Sequence, residues 1–293
     1  MQSLKGIYKE GTMNKKDIQN KKEGHMKKMD NSIFTLDTYN TKEDKPRLLI
    51  DKLMFNTRLY FMSKFAYIVL KSRSEALKGG YGTKEWALTS RNVFNLIEDC
   101  GGKFHITGLN NIRNCKEPVV FISNHMGTLE TMVFPYIIAP LKEVTFVVKE
   151  SLVTHPFLGP VMRSRNPIVV SRSNSREDLQ NVMSKGQELL KNGVSIIVFP
   201  QGTRKIEFVP LEFNSLGEKL AGRAGMQVIP IAIKTDFWGN GKYLKDLGPI
   251  NRHKSIYMAF GTPFPVEGLG REEHKRVIEF IGSNLQKWSS SDD

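Results

Sequence analysis

The sequence predicts an α/β fold in which a mostly parallel central sheet is flanked by helices and preceded by an N-terminal amphipathic helical segment. Two patterns carry this expectation. Short apolar runs that read as buried strands recur between Lys103 and Phe260, and longer polar-faced stretches with helical spacing lie between them. Strands alternating with helices are the mark of parallel βαβ units. At 293 residues the chain can hold one large domain, or a core with a smaller appendage, and can bury a substantial core. A hydrophobic content of 40% and a charged content of 25% are ordinary. The net charge of +13 is not, and it favours an anionic partner: nucleic acid, an anionic membrane surface, or phosphorylated and acidic-carrier substrates. Charge alone does not choose among them.

In chain order, residues 1–45 are rich in Lys, Asn, Asp and Gly, with paired lysines at Lys15-Lys16, Lys21-Lys22 and Lys27-Lys28. This composition predicts a disordered basic tail, which either attracts anionic lipid or nucleic acid or is simply solvated. Residues 46–101 form a helical, membrane-associating region. Within it the stretch Leu48 to Leu70 is apolar but interrupted by Asp51, Lys52, Arg58 and Lys64. Its longest nearly apolar piece, Leu59 to Leu70, would make a helix of about 18 Å against a hydrocarbon core of about 30 Å, too short to span. A helix lying in the membrane interface and a helix packed on the protein's own core both fit. Glu85 to Cys100 is a further helix, stopped by Gly101-Gly102.

Residues 102–293 form the α/β domain. Strands are expected at Lys103 to Thr107, Pro118 to Ile122, Glu143 to Val148, Pro167 to Val170, Val194 to Phe199, Met226 to Ile233 and Ser255 to Phe260. Helices are expected after the turn at His125, with an interruption near Pro135, then from Ser173 to Leu190 and from Glu272 to Trp288, with a short helical piece entered at Pro156 to Pro160. Only Cys100 and Cys115 are present, without a C-x2-C pair, so neither a disulfide framework nor a structural zinc site is indicated. A reducing compartment fits, and the N-terminus lacks the long apolar core of a secretory signal.

Two stretches carry chemistry. In Phe121 to Glu130, His125 falls on a strand-to-helix turn and Glu130 in the first helical turn. Five residues along a continuous helix rotate about 140° out of register, so the turn is what lets the carboxylate point back at the imidazole. The pair then has the parts of a general base and its orienter. The same pattern also suits a polar strand-end residue followed by an acid favoured by the helix dipole. The second stretch, Phe199-Pro200-Gln201-Gly202-Thr203-Arg204, directly follows a buried strand. Gly202 permits close backbone approach, Thr203 adds a hydroxyl and Arg204 a planar fork for phosphate oxygens, although a strand-ending turn with an exposed Arg reads the same way. His25, His105, His155, His253 and His274 have no comparable partner pattern and read as structural or surface residues.

The two stretches occur in this order about 75 residues apart, and together the chain resembles the glycerolipid acyltransferase family, whose bacterial type is 1-acyl-glycerol-3-phosphate acyltransferase. The family's Asn-His-x4-Asp motif is matched by Asn124, His125 and Glu130, and its Phe-Pro-Glu-Gly-Thr-Arg motif by Phe199 to Arg204 with Gln201 in place of Glu. The second motif resembles Gly159 to Arg163 through Ile168 to Arg172, the fourth Val228 to Ala232, and the match covers roughly Phe104 to Phe264. The resemblance implies acyl transfer from acyl-CoA or acyl carrier protein to a hydroxyl of a lysolipid, with His125 as base and Glu130 as its orienter. Gly202, Thr203 and Arg204, with Arg172 and Arg163, would bind the acceptor's anionic group. No metal or cofactor is required.

Gln201 lacks the charge of the family's Glu and would alter acceptor recognition. Other acceptors, such as a lyso-ornithine lipid or a lipid A-type precursor, stay open, as does a non-catalytic membrane lipid-binding protein. The expected location is the cytoplasmic face of the cell membrane, as a peripheral or monotopic protein. Nucleic acid is not expected as a partner, since the chain has neither a zinc-finger nor an RNP-like aromatic pattern.

Overall fold

Uninterrupted β-branched and aromatic runs build the middle of an eight-stranded sheet, because a strand covered on both faces has no place for a polar side chain. The structure is a computed structural model that describes residues 34–54 and 57–290. Its strands are β1 (Tyr39–Asn40), β2 (Phe104–Thr107), β3 (Val119–Ser123), β4 (Val144–Lys149), β5 (Ile168–Val170), β6 (Ser195–Val198), β7 (Gln227–Lys234) and β8 (Ile256–Phe260). They lie in the order β1-β2-β8-β7-β3-β6-β4-β5. β7, β3, β6, β4 and β5 run parallel. The β7–β8 pair is antiparallel, and β2 runs parallel to β8 with β1 antiparallel beyond it, so the sheet is mixed and mostly parallel. Every residue of the central strand β3 is buried.

The helices cover both faces. On one side the helices Ser175–Lys191, Leu216–Ala224 and Arg271–Ser289 bring Val182, Leu190, Leu220, Val277 and Ile281 into one apolar core with Val120, Ile122, Ile196, Val198 and Val228 of the sheet. Helix Leu216–Ala224 sits close to β3. A Cβ at Gly217 would stand 2.6 Å from Cδ1 and 2.7 Å from Cγ1 of Ile122. On the other side, helix Thr83–Asp99 packs against helices Leu59–Leu77 and Leu129–Ile138.

The structure sharpens the sequence reading in four places. Residues 34–45 are not part of a disordered tail: Phe34 is buried against Phe94 and Tyr136, and Tyr39, Thr41 and Lys45 all donate to the buried Glu98 carboxylate at 2.5–2.7 Å. The remainder of that tail lies outside the described residues. The helical region 46–101 belongs to the same compact unit as the sheet, since the residues from Phe34 onward cluster as one. The stretch Leu48 to Leu70 forms two helices, Leu49–Leu53 and Leu59–Leu77. The longer one buries Tyr60, Phe61 and Phe65, with Phe61 and Phe65 edge-on to Trp238, while Leu59, Tyr67 and Leu70 stay exposed.

Finally, helix Leu129–Ile138 continues past Pro135, but its hydrogen-bond ladder is opened beside the proline, as the sequence reading expects. Ser90 inserts its hydroxyl into the helical ladder, donating to the Met132 carbonyl at 2.6 Å and accepting from the Tyr136 amide at 2.8 Å. These are the two groups an unbroken helix would bond directly. The helix carrying Glu130 is thereby tied to its neighbour.

Adding a methyl group at Gly217 forces either helix Leu216–Ala224 or Ile122 to move. Gly217→Ala is expected to lower stability by about 1–3 kcal/mol in urea unfolding, and unchanged stability would show that this contact has room to give.

Candidate active site

The C-terminal ends of the parallel strands β6, β3 and β7 open on the same edge of the sheet, where ligands bind in open α/β folds. β3 leads into Asn124 and His125. Asn124 is buried, and its amide bonds Ile233 twice, donating to the carbonyl and accepting from the backbone amide at 2.9 Å each. It extends the β3–β7 pairing by one side chain and fixes where the following turn begins.

His125 Nδ1 lies 2.8 Å from Glu130 Oε1. The same oxygen accepts from the backbone amides of Met126 and Gly127 at 2.8 Å each, and Oε2 accepts from the Thr235 hydroxyl at 2.8 Å. Glu130 is fully buried. Burial pushes its carboxyl up, but the His125 ring and the Gly127 amide outweigh this and hold it below the ordinary carboxylate range. An ionised carboxylate only accepts, so Nδ1 carries the proton and Nε2 is left with a lone pair. A neutral His125 is therefore set in the tautomer that can take a proton.

The loop after β6 completes the surroundings. The Phe199 ring stacks on the imidazole with centroids 4.3 Å apart and planes 22° apart. The backbone amide of His125 donates to Gln201 Oε1 at 2.7 Å, and the His125 carbonyl accepts from the Lys205 amide at 2.9 Å. Gly202 adopts a left-handed φ of 68°, which turns the chain sharply between Gln201 and Thr203. Arg204 Nη1 donates to Asp246 at 2.5 Å and to the Thr128 hydroxyl at 3.1 Å. Burial raises the Asp246 carboxyl, and the Arg204 charge with the Thr128 hydroxyl more than offsets it, holding the group below its ordinary value.

A cavity of about 910 Å³ runs past this cluster. Its wall includes His125, Arg172, Gly202, Thr203, Arg204 and Lys219, and also Phe65, Ile68, Val69, Trp86, Val93 and Val161. One cavity thus joins cationic side chains to an extensive apolar lining.

The structure brings His125, Glu130, Arg172, Gly202, Thr203 and Arg204 together, although Arg172 Nη1 is already bonded to the Gly202 carbonyl. Two expected acceptor ligands stand elsewhere. Arg163 does not line the cavity, and its guanidinium bonds the Val153 carbonyl. Gln201 is 6% exposed and does not line the cavity either, because its side chain faces the His125 backbone. Thr235 and Asp246 were not singled out from the sequence, and Phe199 was read only as part of its motif. Thr235 left a signal there: it is a polar residue one position beyond the C-terminal end of an apolar strand. His274, read as a structural or surface residue, is structural: it meets Glu218 at 2.9 Å and ties helix Arg271–Ser289 to helix Leu216–Ala224 outside the cavity.

Residues 103–234 match the family model described as Acyltransferase. The chain is 30% identical over 194 residues to the 1-acyl-sn-glycerol-3-phosphate acyltransferase of Pseudomonas aeruginosa, covering 65% of this chain and 68% of that protein. It is 28% identical over 223 residues to the 1-acyl-sn-glycerol-3-phosphate acyltransferase of Saccharomyces cerevisiae, covering 75% of this chain and 70% of that protein. Against the chloroplastic 1-acyl-sn-glycerol-3-phosphate acyltransferase LPAT1 of Arabidopsis thaliana the identity is 29%, over 48% of this chain and 38% of the relative. The crystal structure of the 1-acyl-sn-glycerophosphate acyltransferase of Thermotoga maritima is similar in fold, with a TM-score of 0.55 at 20% identity, over 81% of this chain and 91% of that one.

The buried carboxylate makes two stability predictions. Thr235→Val removes a hydrogen bond to a charged group without changing shape and should cost about 1–3 kcal/mol in denaturant unfolding; a neutral result would mean that Oε2 has another donor. A folded-state carboxyl held low contributes stability that is fully present above the unfolded value of about 4.3 and is lost as pH falls through the lower folded value. Wild type should therefore exceed Glu130→Gln in stability at pH 7, with the gap narrowing as pH is lowered towards 3. A gap independent of pH would show that Glu130 is not ionised in the fold.

Proposed function

The chain belongs to the acyltransferase family, and from that premise we propose that it moves a fatty acyl group from acyl-CoA or acyl carrier protein to the free hydroxyl of a lysophospholipid such as 1-acyl-glycerol-3-phosphate. The observation that carries this reading is the His125–Glu130 pair, with its tautomer set by four donors to one buried carboxylate, at the wall of a cavity lined by both arginines and apolar side chains. His125 Nε2 takes the acceptor's hydroxyl proton as the oxygen attacks the thioester carbonyl. The Glu130 charge stabilises the resulting imidazolium. The tetrahedral intermediate then collapses, breaking the carbon–sulfur bond, and the thiolate leaves with the proton from the imidazolium. The acyl group ends as an ester on the acceptor.

The amides of Met126 and Gly127 are engaged by Glu130, so the developing oxyanion has to draw on other donors. Arg204, held at the cavity wall by Asp246 and Thr128, is suited to the acceptor's phosphate, with Arg172, Gly202 and Thr203 beside it. The apolar lining from helices Leu59–Leu77 and Thr83–Asp99 suits an acyl chain. An assembled base and orienter also argue against a decayed, purely lipid-binding site.

Among the described residues no helix is long and apolar enough to cross a membrane. The exposed Leu49, Leu53, Leu59, Tyr67 and Leu70 of the N-terminal helices, with a net charge of +13, support attachment to the anionic cytoplasmic face of a membrane in which the acceptor is dissolved.

Transfer by purified protein tests the reading. His125→Ala should abolish acyl transfer from long-chain acyl-CoA or acyl carrier protein to lysophosphatidic acid. Glu130→Gln should lower kcat by about 10²-fold or more through loss of the tautomer. Arg204→Ala should instead raise the acceptor KM by about tenfold or more. Full activity in His125→Ala would refute the base, and a better rate on zwitterionic than on phosphate-bearing acceptors would move the chain to a different lysolipid.

A further inference from the structure

The loop Phe199 to Lys205 touches His125 at three points: the ring face through Phe199, the carbonyl through the Lys205 amide, and the backbone amide through Gln201. From this we infer that Gln201 is a positioning residue for the base and not a reader of the acceptor, an inference that rests on His125 being the base. Its Oε1 accepts from the His125 amide at 2.7 Å, the residue is 6% exposed, and it is absent from the cavity wall.

The choice of an amide follows from what surrounds the side chain. Gln201 Nε2 is buried and finds no hydrogen-bond partner among the described residues. One atom of this group accepts from His125, and the other makes no hydrogen bond among the described residues. A carboxylate would make the same acceptance but would also bury a charge, which costs more than an unpaired amide nitrogen. Glutamine supplies the required oxygen without the charge. The departure from the family's Glu is thus explained at the base, through the turn that carries it, and predicts no change in which acceptor is taken.

The bond matters because His125 sits on a turn with no helical or strand ladder to hold its own amide. Without the acceptor, that amide is orphaned beside a buried carboxylate, and the turn can relax only by moving the imidazole. A displacement of about 1 Å at a reacting group costs on the order of 10²-fold in rate. Substrate affinity has no reason to change, since Gln201 meets neither substrate in this arrangement.

The test compares wild type, Gln201→Leu, Gln201→Glu and His125→Ala with one long-chain acyl-CoA and lysophosphatidic acid. Gln201→Leu keeps the volume and removes the acceptor; it should lower kcat by about 10- to 100-fold with both KM values within about twofold of wild type. Gln201→Glu keeps the acceptor oxygen at the cost of a buried charge and should retain more of kcat than Gln201→Leu. In the wild-type chain itself, the His125 amide should exchange slowly with deuterium by NMR, a readout that needs no variant to fold.

A raised acceptor KM with unchanged kcat in Gln201→Leu would overturn the inference, as would wild-type kinetics in that variant, a kcat in Gln201→Glu no higher than in Gln201→Leu, or fast exchange of the His125 amide. Activity in His125→Ala would instead remove the base reading beneath it. An inactive His125→Ala beside an unaffected Gln201→Leu would sink this inference alone.

Discussion

The rest of the site depends on one constraint: a fully buried carboxylate has to be surrounded by donors. Glu130 lies at the start of helix Leu129–Ile138 with no solvent contact, and an unpaired charge there would be untenable. Its donors come from the turn before the helix, from the imidazole, and from Thr235 at the end of β7. Satisfying the charge therefore fixes the turn, the ring and the neighbouring strand together. The His125 ring is oriented as a by-product of an electrostatic demand that folding has to meet in any case. This is also why Glu can stand where the family motif has Asp: the longer side chain folds back to take the Met126 and Gly127 amides as well as the ring.

The sheet supplies the frame in which those donors meet. β3 lies between β6 and β7, all parallel, so the three strand ends that carry His125, the Phe199 loop and Thr235 emerge side by side. Asn124 stitches β3 to β7 just before the turn, and Gly217 lets a helix seat closely on Ile122 behind it. Such close packing leaves little room for the turn to shift. The reversal at β8 does not disturb this arrangement, because it falls on the far side of β7.

What could be read from the sequence divides along the range of the interactions. The central strands are legible because burial on both faces leaves apolar runs, and His125 with Glu130 is legible because the pair is five residues apart across a turn. Gln201 is 76 residues from His125, and Thr235 is 105 residues from Glu130. Their roles depend on which strands become neighbours, and composition does not state strand order. The antiparallel pairing of β8 escaped for the same reason. The interruption near Pro135 was legible because a proline acts on its own helix, whereas the Ser90 hydroxyl that bridges the opened ladder, 42 residues from Met132, was not. Phe34 to Lys45 reads as tail because its anchors, Glu98 and the Phe94–Tyr136 cluster, are equally remote.

On the sequence reading the base belongs to one motif and the anion to the other, yet the second stretch also holds the turn that carries His125. Phe199, Gln201 and Lys205 all contact His125, while Gly202, Thr203 and Arg204 line the cavity. Contacts to His125 at Phe199, Gln201 and Lys205 bracket the cavity-lining run Gly202 to Arg204, and the left-handed turn at Gly202 lies between Gln201 and that run. The consequence is geometric. Any acceptor held by Arg204 is referenced through a few covalent bonds to the backbone that also holds the imidazole, so the distance between proton donor and base is set by one loop. In reactions where orientation supplies much of the acceleration, a shared rigid segment between binder and base is the shortest route to that precision.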